Sequence, residues 1–414
     1  MNENGAGESA IEAVFREEYG RISASIIRAV GDFDTAEEAL QDAFIEALDQ
    51  WRREGVPRNP AAWLTHVARR RAIDRLRHAK VRDRGAARLR DRVPTEDAPI
   101  ERLEAMLDSS LEDDRLRLIF TCCHPALSPE AHVPLTLRSL CGLETAEIAR
   151  AFLVPEATLA QRLVRAKKKI REAGVPYRVP PDHLLPERLS SVLAACYLVF
   201  NEGYSATSGP ELVRTDLTLE AIRLARLLAE LMPDEPEALG LLALMLLQNS
   251  RRAARVSDTG ELVLLADQDR ALWDRPAIEE GRELVERALR MQRPGPYQLQ
   301  AAIAAVHSES SSADDTDWAQ IVRLYDELLK RTPSPVVALN RAVAVAMAQG
   351  AQAGLEALAP VAKSGALEEY HLYHATRADF LGRLGREEES RAGYARALEL
   401  ARTDAERAFL RRHL

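Results

Sequence analysis

Between Leu159 and Arg171 stand six basic residues and no acid. Leu159, Leu163, Ala166 and Ile170 recur at intervals of four, three and four, which predicts one apolar stripe along a helix. Thr158, Gln161, Arg162, Arg165 and either Lys168 or Lys169 then occupy the other faces. Short polar side chains near a helix start can reach base edges, and long cations further along meet phosphates. Gln can pair with adenine and Arg with guanine, so the set suits limited base readout. Upstream, Ile148, Ala149 and Phe152 supply the packing face of a preceding helix, and the small Ala149 permits a close crossing. The pair reads as a helix-turn-helix. The plain alternative is an amphipathic hairpin with a solvated basic face.

A second cationic island lies upstream: Arg69 to Arg92 holds eleven basic residues against three acids. Its first part, AAWLTHVARRRAIDRLRH, places Trp63, Val67 and Ile73 inward and crowds Arg69, Arg70, Arg71, Arg75 and Arg77 into the C-terminal half. Trp51 and Trp63 flank the loop REGVPRNP. An aromatic beside a basic loop can stack on an unpaired base, or simply pack a small core. Two cationic islands suggest two points of contact on one duplex.

Other reactive residues offer less. Cys122, Cys123, Cys141 and Cys196 form no CxxC pair. Adjacent cysteines reach one metal poorly, so CCH at 122–124 with His132 and Cys141 reads as buried thiols rather than a zinc site. NEGY at 201–204 and QDRALWD with Arg251 and Arg252 are polar clusters amid apolar helices, either a pocket or a hydrogen-bonded network. No phosphate loop, HExxH or nucleophile elbow is present. The expectation is therefore no catalytic residue, no metal and no cofactor.

The elements that must position these residues are helical. The 414 residues hold 46% hydrophobic and only 5% aromatic residues, with Ala, Leu, Arg and Glu abundant, which points to an all-α chain of several domains. The start MNENGAGESA is neither basic nor apolar, so no signal peptide is expected. No apolar run reaches about 18 residues, so no membrane span is expected and a cytoplasmic protein follows. The formal charge of -8 is uneven: residues 1–180 carry 29 Lys+Arg and 29 Asp+Glu, and the acidity belongs to the rest. Local fields, not the average, decide contact with nucleic acid.

Amphipathic spacing predicts a helical domain at 9–79, with Pro60 in the first turn of its third helix. An Arg-, Asp- and Pro-rich linker follows at 80–110, then a second helical domain at 111–175. The proline-rich VPYRVPP at 175–181 reads as a hinge, and 183–414 as a helical extension. There, Pro236, Pro296 and Pro335 each open a small-residue-rich apolar helix preceded by an amphipathic one. The final ATRADFLGRLGREEESRAGYARALEL fits a tetratricopeptide helix pair, so stacked helical hairpins are expected. The insert RVSDTGELVLLADQDRALWDRP interrupts them as a loop or irregular helix.

TAEEALQDAFIEAL with AAWLTHVARRRAIDRLRH resembles region 2 of bacterial extracytoplasmic-function (ECF) sigma factors, and GLETAEIARAFLVPEATLAQRLVRAKKKIR resembles their region 4. The resemblance covers about residues 9–175. Two departures stand out: Arg70 where many relatives have Asn, and Glu144 where Ser or Thr commonly opens the helix-turn-helix. The extension resembles that of a subgroup with a tetratricopeptide-like (TPR-like) domain, through YLVFNEGY, LLALMLLQNSRRAAR, DQDRALWD, GPYQLQAAIAAVH and SPVVALNRAVAVA.

The resemblance implies two small helical sigma domains that bind core RNA polymerase and promoter DNA. By it, Glu37, Leu40, Gln41, Asp42 and Phe44 would dock on polymerase. Arg58, Asn59, Trp63, Arg69, Arg70, Arg71, Arg75 and Arg77 would capture the melted -10 strand, and the linker would pass through polymerase. Thr158, Gln161, Arg162, Arg165 and Lys168 would read the -35 element. The extension is expected to regulate these domains, through a protein or ligand bound to it. The runner-up is a helix-turn-helix repressor with a ligand- or protein-binding repeat domain.

Overall fold

The computed structural model describes residues 18–87 and 112–414, except 153, 182, 205–214, 256, 258–262, 311, 313 and 402–403. The chain is all-α, with no strand among the described residues. It divides into two compact units, Met1–Ala195 and Cys196–Leu414.

In the first unit, α1 (18–30) precedes α2 (Phe33–Glu54) and α3 (Pro60–Ala87). Asp32 caps α2 by accepting from the Thr35 N–H at 2.8 Å. Ala36, Ala39, Leu40, Ala43, Ala47 and Trp51 are buried at intervals of three and four and pack α2 on α3. Asn59 caps α3, accepting from the Ala62 N–H at 3.0 Å just before Pro60. α3 runs on to Ala87, into the stretch read from sequence as linker.

Next come α4 (Glu112–Cys122), α5 (Pro129–Thr136), a π-helical turn Leu137–Cys141, α6 (Thr145–Ala151) and α7 (Glu156–Glu172). Gly142, at φ 72°, ends the π turn in the left-handed region that glycine tolerates. Glu144 opens α6 without a hydroxyl cap. Instead its N–H donates to the Glu147 carboxylate at 2.7 Å, one half of a capping box.

The segment read as a hinge is anchored. The Tyr177 hydroxyl lies 2.8 Å from the Ala24 carbonyl and 3.2 Å from that of Asp114. α8 (Leu185–Tyr204) follows, and the division between units falls within it, beyond residue 183.

In the second unit, α9 (Thr215–Leu231), α10 (Pro236–Asn249), α11 (Arg275–Arg290), α12 (Pro296–Glu309), α13 (Trp318–Arg331) and α14 (Pro335–Gln349) pack neighbour on neighbour. α15 (Ala351–Ser364), α16 (His371–Arg383), α17 (Glu387–Leu400) and α18 (Asp404–Arg411) continue the series. Pro236, Pro296 and Pro335 open their helices, where a missing N–H costs nothing. Among its described residues the insert contains two short 3₁₀ turns, Leu265–Asp267 and Arg270–Leu272, and a third, Arg252–Ala254, just precedes it.

α10 touches both α11 and α12 and is buried from Ala238 to Leu247. Its Glu237 also caps α12, accepting from the N–H groups of Tyr297 at 3.0 Å and Gln298 at 3.1 Å. Glu237→Ala leaves those donors without an acceptor and should cost about 1–3 kcal/mol. A thermal melt of the full chain with an unchanged transition for the second unit would contradict this.

Candidate nucleic-acid and polymerase surfaces

On α7, Leu159, Leu163 and Ala166 are buried while Thr158, Gln161, Arg165 and Lys168 are exposed. Thr158, Gln161, Arg162 and Arg165 line one cleft with the start of α5, of about 440 Å³. Lys169 joins that lining, whereas Lys168 turns to Glu172 at 3.6 Å. Arg162 approaches Glu130 at 3.9 Å, and that carboxylate is 76% exposed. Five side chains of α7 able to donate to bases or phosphates thus face one concavity.

The other two cations of α7 turn the opposite way. Lys167 Nζ meets Asp34 and Glu37 of α2, each at 2.9 Å. Arg171 meets Asp32 at 2.8 Å and Asp34 at 3.6 Å. Arg138, from the π turn, reaches Glu37 at 3.5 Å and Glu144 at 3.1 Å. Tyr19 is buried in this region, and burial followed by the Glu37 charge raises its phenol pKa. A Cβ at Gly20 would lie 2.4 Å from the Leu140 carbonyl oxygen, so α1 and the π turn touch backbone to side chain-free backbone.

Burial pulls the Asp32 carboxyl up, but its Thr35 hydrogen bonds and Arg171 outweigh that and hold it below the usual carboxylate range. A depressed carboxyl pKa gives stability that is complete at neutral pH and fades as pH falls through the carboxylate range. This clasp between α2 and α7 therefore weakens in acid.

The residues that the resemblance assigns to polymerase docking divide in two. Leu40 and Phe44 lie in the core, and Glu37 is enclosed by Lys167 and Arg138. Gln41 is exposed, and Asp42 pairs with Arg75 at 2.8 Å. Sequence reasoning passed over Ile45, which stands 59% exposed one turn beyond Gln41. Its position off the three-and-four register of the buried α2 residues was the available signal. Ile45→Glu should weaken core polymerase binding about tenfold or more without shifting the melting temperature, since buried apolar anchors dominate interfaces. Unchanged affinity in a pull-down titration would remove Ile45 from the docking surface.

The -10 set sits along α3 and the loop before it. Arg58 is exposed, and Asn59 serves as the α3 cap. Trp63 packs edge-on against the buried Trp51, ring centroids 5.5 Å apart. Arg69 is half-buried. Arg70 and Arg71 pair with Glu46 at 3.2 and 2.7 Å, and Arg75 pairs with Glu38 as well as Asp42. These pairs are substantially solvated, worth about 0–1 kcal/mol each, so phosphate can displace them at small cost. The Arg77 side chain lies outside the described residues.

The four cysteines are buried free thiols. Burial raises the pKa of both Cys122 and Cys123, the latter to about 12, which keeps them protonated. No group of three or more His, Cys, Asp or Glu side chains among the described residues could hold a metal ion.

Residues 14–82 match sigma-70 region 2, and residues 117–170 match sigma-70 region 4. The chain belongs to the sigma-70 family. The two matches enclose α2 with most of α3, and the helix-turn-helix of α6 and α7. Sigma-70 domains imply core RNA polymerase and promoter DNA as partners. Residues 188–289 match a family of unknown function, DUF6596. A Rhizobium meliloti (strain 1021) protein described as uncharacterized is 45% identical over 390 residues, covering 94% of this chain and 92% of that protein. The sigma domains and the extension are thus shared as one chain by this relative. No described helix is long and apolar enough to cross a membrane.

Proposed function

We propose that the chain is a cytoplasmic ECF-type sigma factor whose C-terminal domain, a TPR-like stack of helical hairpins, regulates its two promoter-binding domains. The observation that carries this reading is the α7 cleft, where Thr158, Gln161, Arg162 and Arg165 converge within a matched region 4. The neighbour-on-neighbour packing from α9 to α18 supports the repeat reading. The role is one of binding and positioning, with no enzymatic activity of its own.

The clasp gives this reading a mechanical consequence. The -10 and -35 elements lie about 25 base pairs apart, roughly 85 Å at 3.4 Å per step. α2 and α7 touch through Lys167 and Arg171, so both elements are engaged only after those contacts part. Polymerase docking on α2 competes with the clasp for Glu37 and so favours the open arrangement.

Replacing Gln161 and Arg165 by Ala should reduce promoter-dependent transcription about 30-fold or more while core binding persists, since each base-directed pair is worth about 1–3 kcal/mol. Equal loss on promoters with and without a -35 element would remove these residues from readout. Operator binding by the isolated protein, with no core complex, would favour a repressor instead.

A further inference from the structure

The second unit contains two adjoining chambers that share Leu265, His307, Tyr325 and Asn340. They lie among α12, α13, α14 and the irregular insert. Their volumes are about 290 and 270 Å³. At about 30 Å³ per water each holds roughly ten water-sized groups, enough for a small organic molecule but not for a peptide segment.

The chambers differ in character. The first is walled by Trp318, Ile321, Val343, Ala344 and Met347, an apolar surface with an aromatic face. The second presents Gln248, Arg251, Gln300 and Asn340, together with Tyr197. Two arginines border the pair, Arg270 on the first chamber and Arg251 on the second, and among the described residues neither lining contains an Asp or Glu.

The guanidinium contacts underline this. Arg251 donates to the neutral Tyr204 hydroxyl at 3.2 Å. Arg270 donates to the backbone carbonyls of His307 and Ser310, both at 2.7 Å, and stands 4.5 Å from the Trp273 ring. Asp315 acts on Arg270 electrostatically, but it is exposed and accepts from the Ser312 hydroxyl. His307 stands between the chambers, its ring edge-on to Trp318 at 5.1 Å. Burial, then Arg251 and Arg270, push its pKa down to about 4, so it is neutral at physiological pH and does not add to the positive charge.

Two half-buried cations, held mainly by a hydroxyl and by backbone carbonyls, stand beside uncharged amides and form a receptor for an anionic head group. The aromatic and aliphatic chamber next to it takes an apolar body. We propose that the C-terminal domain binds a small amphiphilic carboxylate, its head at Arg251, Arg270, Gln300 and Asn340 and its apolar body against Trp318, Ile321 and Met347. Binding is independent of the polymerase reading, and only its regulatory meaning rests on that reading.

Calorimetry and tryptophan fluorescence on the full-length protein test this, using indole-3-acetate, phenylacetate and hexanoate against their primary amides. At least one carboxylate should bind at micromolar to low millimolar concentration and perturb Trp318 emission, with its amide at least tenfold weaker. Arg251→Gln and Arg270→Lys should each weaken binding about 10- to 100-fold, as expected for a charge-assisted hydrogen bond. Arg270 also holds two backbone carbonyls, so Met347→Trp supplies a second variant. Met347 is 38% exposed, and an indole there should fill the apolar chamber and abolish binding with the melting temperature retained. The proposal is overturned if no carboxylate binds, if acids and amides bind alike, or if Met347→Trp and Arg251→Gln bind as tightly as the parent. These readouts need no polymerase, so a failure here is distinct from a failure of sigma function.

Discussion

Lys167→Gln with Arg171→Gln should raise the affinity of the full-length protein for core polymerase by about tenfold. Lys167 is only 10% exposed and its partner Glu37 12%, so this pair is worth more than an ordinary surface bridge. Arg171 is 61% exposed and adds less, at most about 1 kcal/mol. The substitution leaves Glu37 with Arg138 at 3.5 Å, so no carboxylate is stranded. Apparent affinity falls by the fraction of molecules in the competent state, so weakening the clasp by about 1.4 kcal/mol gives a tenfold gain while the open state is rare. Core binding measured by fluorescence anisotropy without DNA keeps the -35 surface out of the comparison. An unchanged or lower affinity would show that the clasp does not limit docking. Moderate salt should narrow the gap between parent and variant, because the exposed Arg171 pairs are screened.

Asp114→Asn should lower the melting temperature of the first unit by roughly 10 °C. Asp114 has no exposed surface, and it pairs with Arg28 of α1 at 3.1 Å and with Arg117 at 3.3 Å. Arg28 is itself only 10% exposed, so neutralising the acid removes the counter-charge that Asp114 gives a nearly buried cation. Breaking such a pair from one side costs about 3–5 kcal/mol, whereas replacing both partners by apolar groups is often close to neutral. Arg28→Met with Asp114→Leu should therefore recover much of the loss. Differential scanning calorimetry distinguishes the outcomes. A single substitution without effect, or a double variant no better than Asp114→Asn, would contradict the burial argument.

The parts legible in the sequence were those governed by local periodicity. The stripe Leu159, Leu163 and Ala166 is the buried face of α7, and the corner prolines do open α10, α12 and α14. The same periodicity placed polar residues on the far side of α7, which is where the cleft lies. What periodicity could not show is pairing across long sequence separation. Lys167 and Arg171 belong to the basic run from Leu159 to Arg171, yet their partners stand more than 130 positions upstream on α2. Arg70, Arg71 and Arg75 likewise have carboxylate partners on a helix whose register against α3 is set by tertiary packing. Leu40 and Phe44 share one face with the buried alanines, while Ile45 falls on the open one. The NEGY and QDRALWD clusters were visible as unusual polarity. That Arg270 of QDRALWD lines a chamber with residues of α12, α13 and α14 is set by tertiary packing, which no local pattern encodes.

Run-off transcription with purified core polymerase, on a promoter library and with the full-length chain as the sole specificity factor, tests the central claim most directly. The account predicts start sites that depend on the added protein, lie downstream of shared -35 and -10 sequences, and are lost when Gln161 and Arg165 are replaced. Absence of any protein-dependent start site, together with failure to form a core complex in the same buffer, would contradict it.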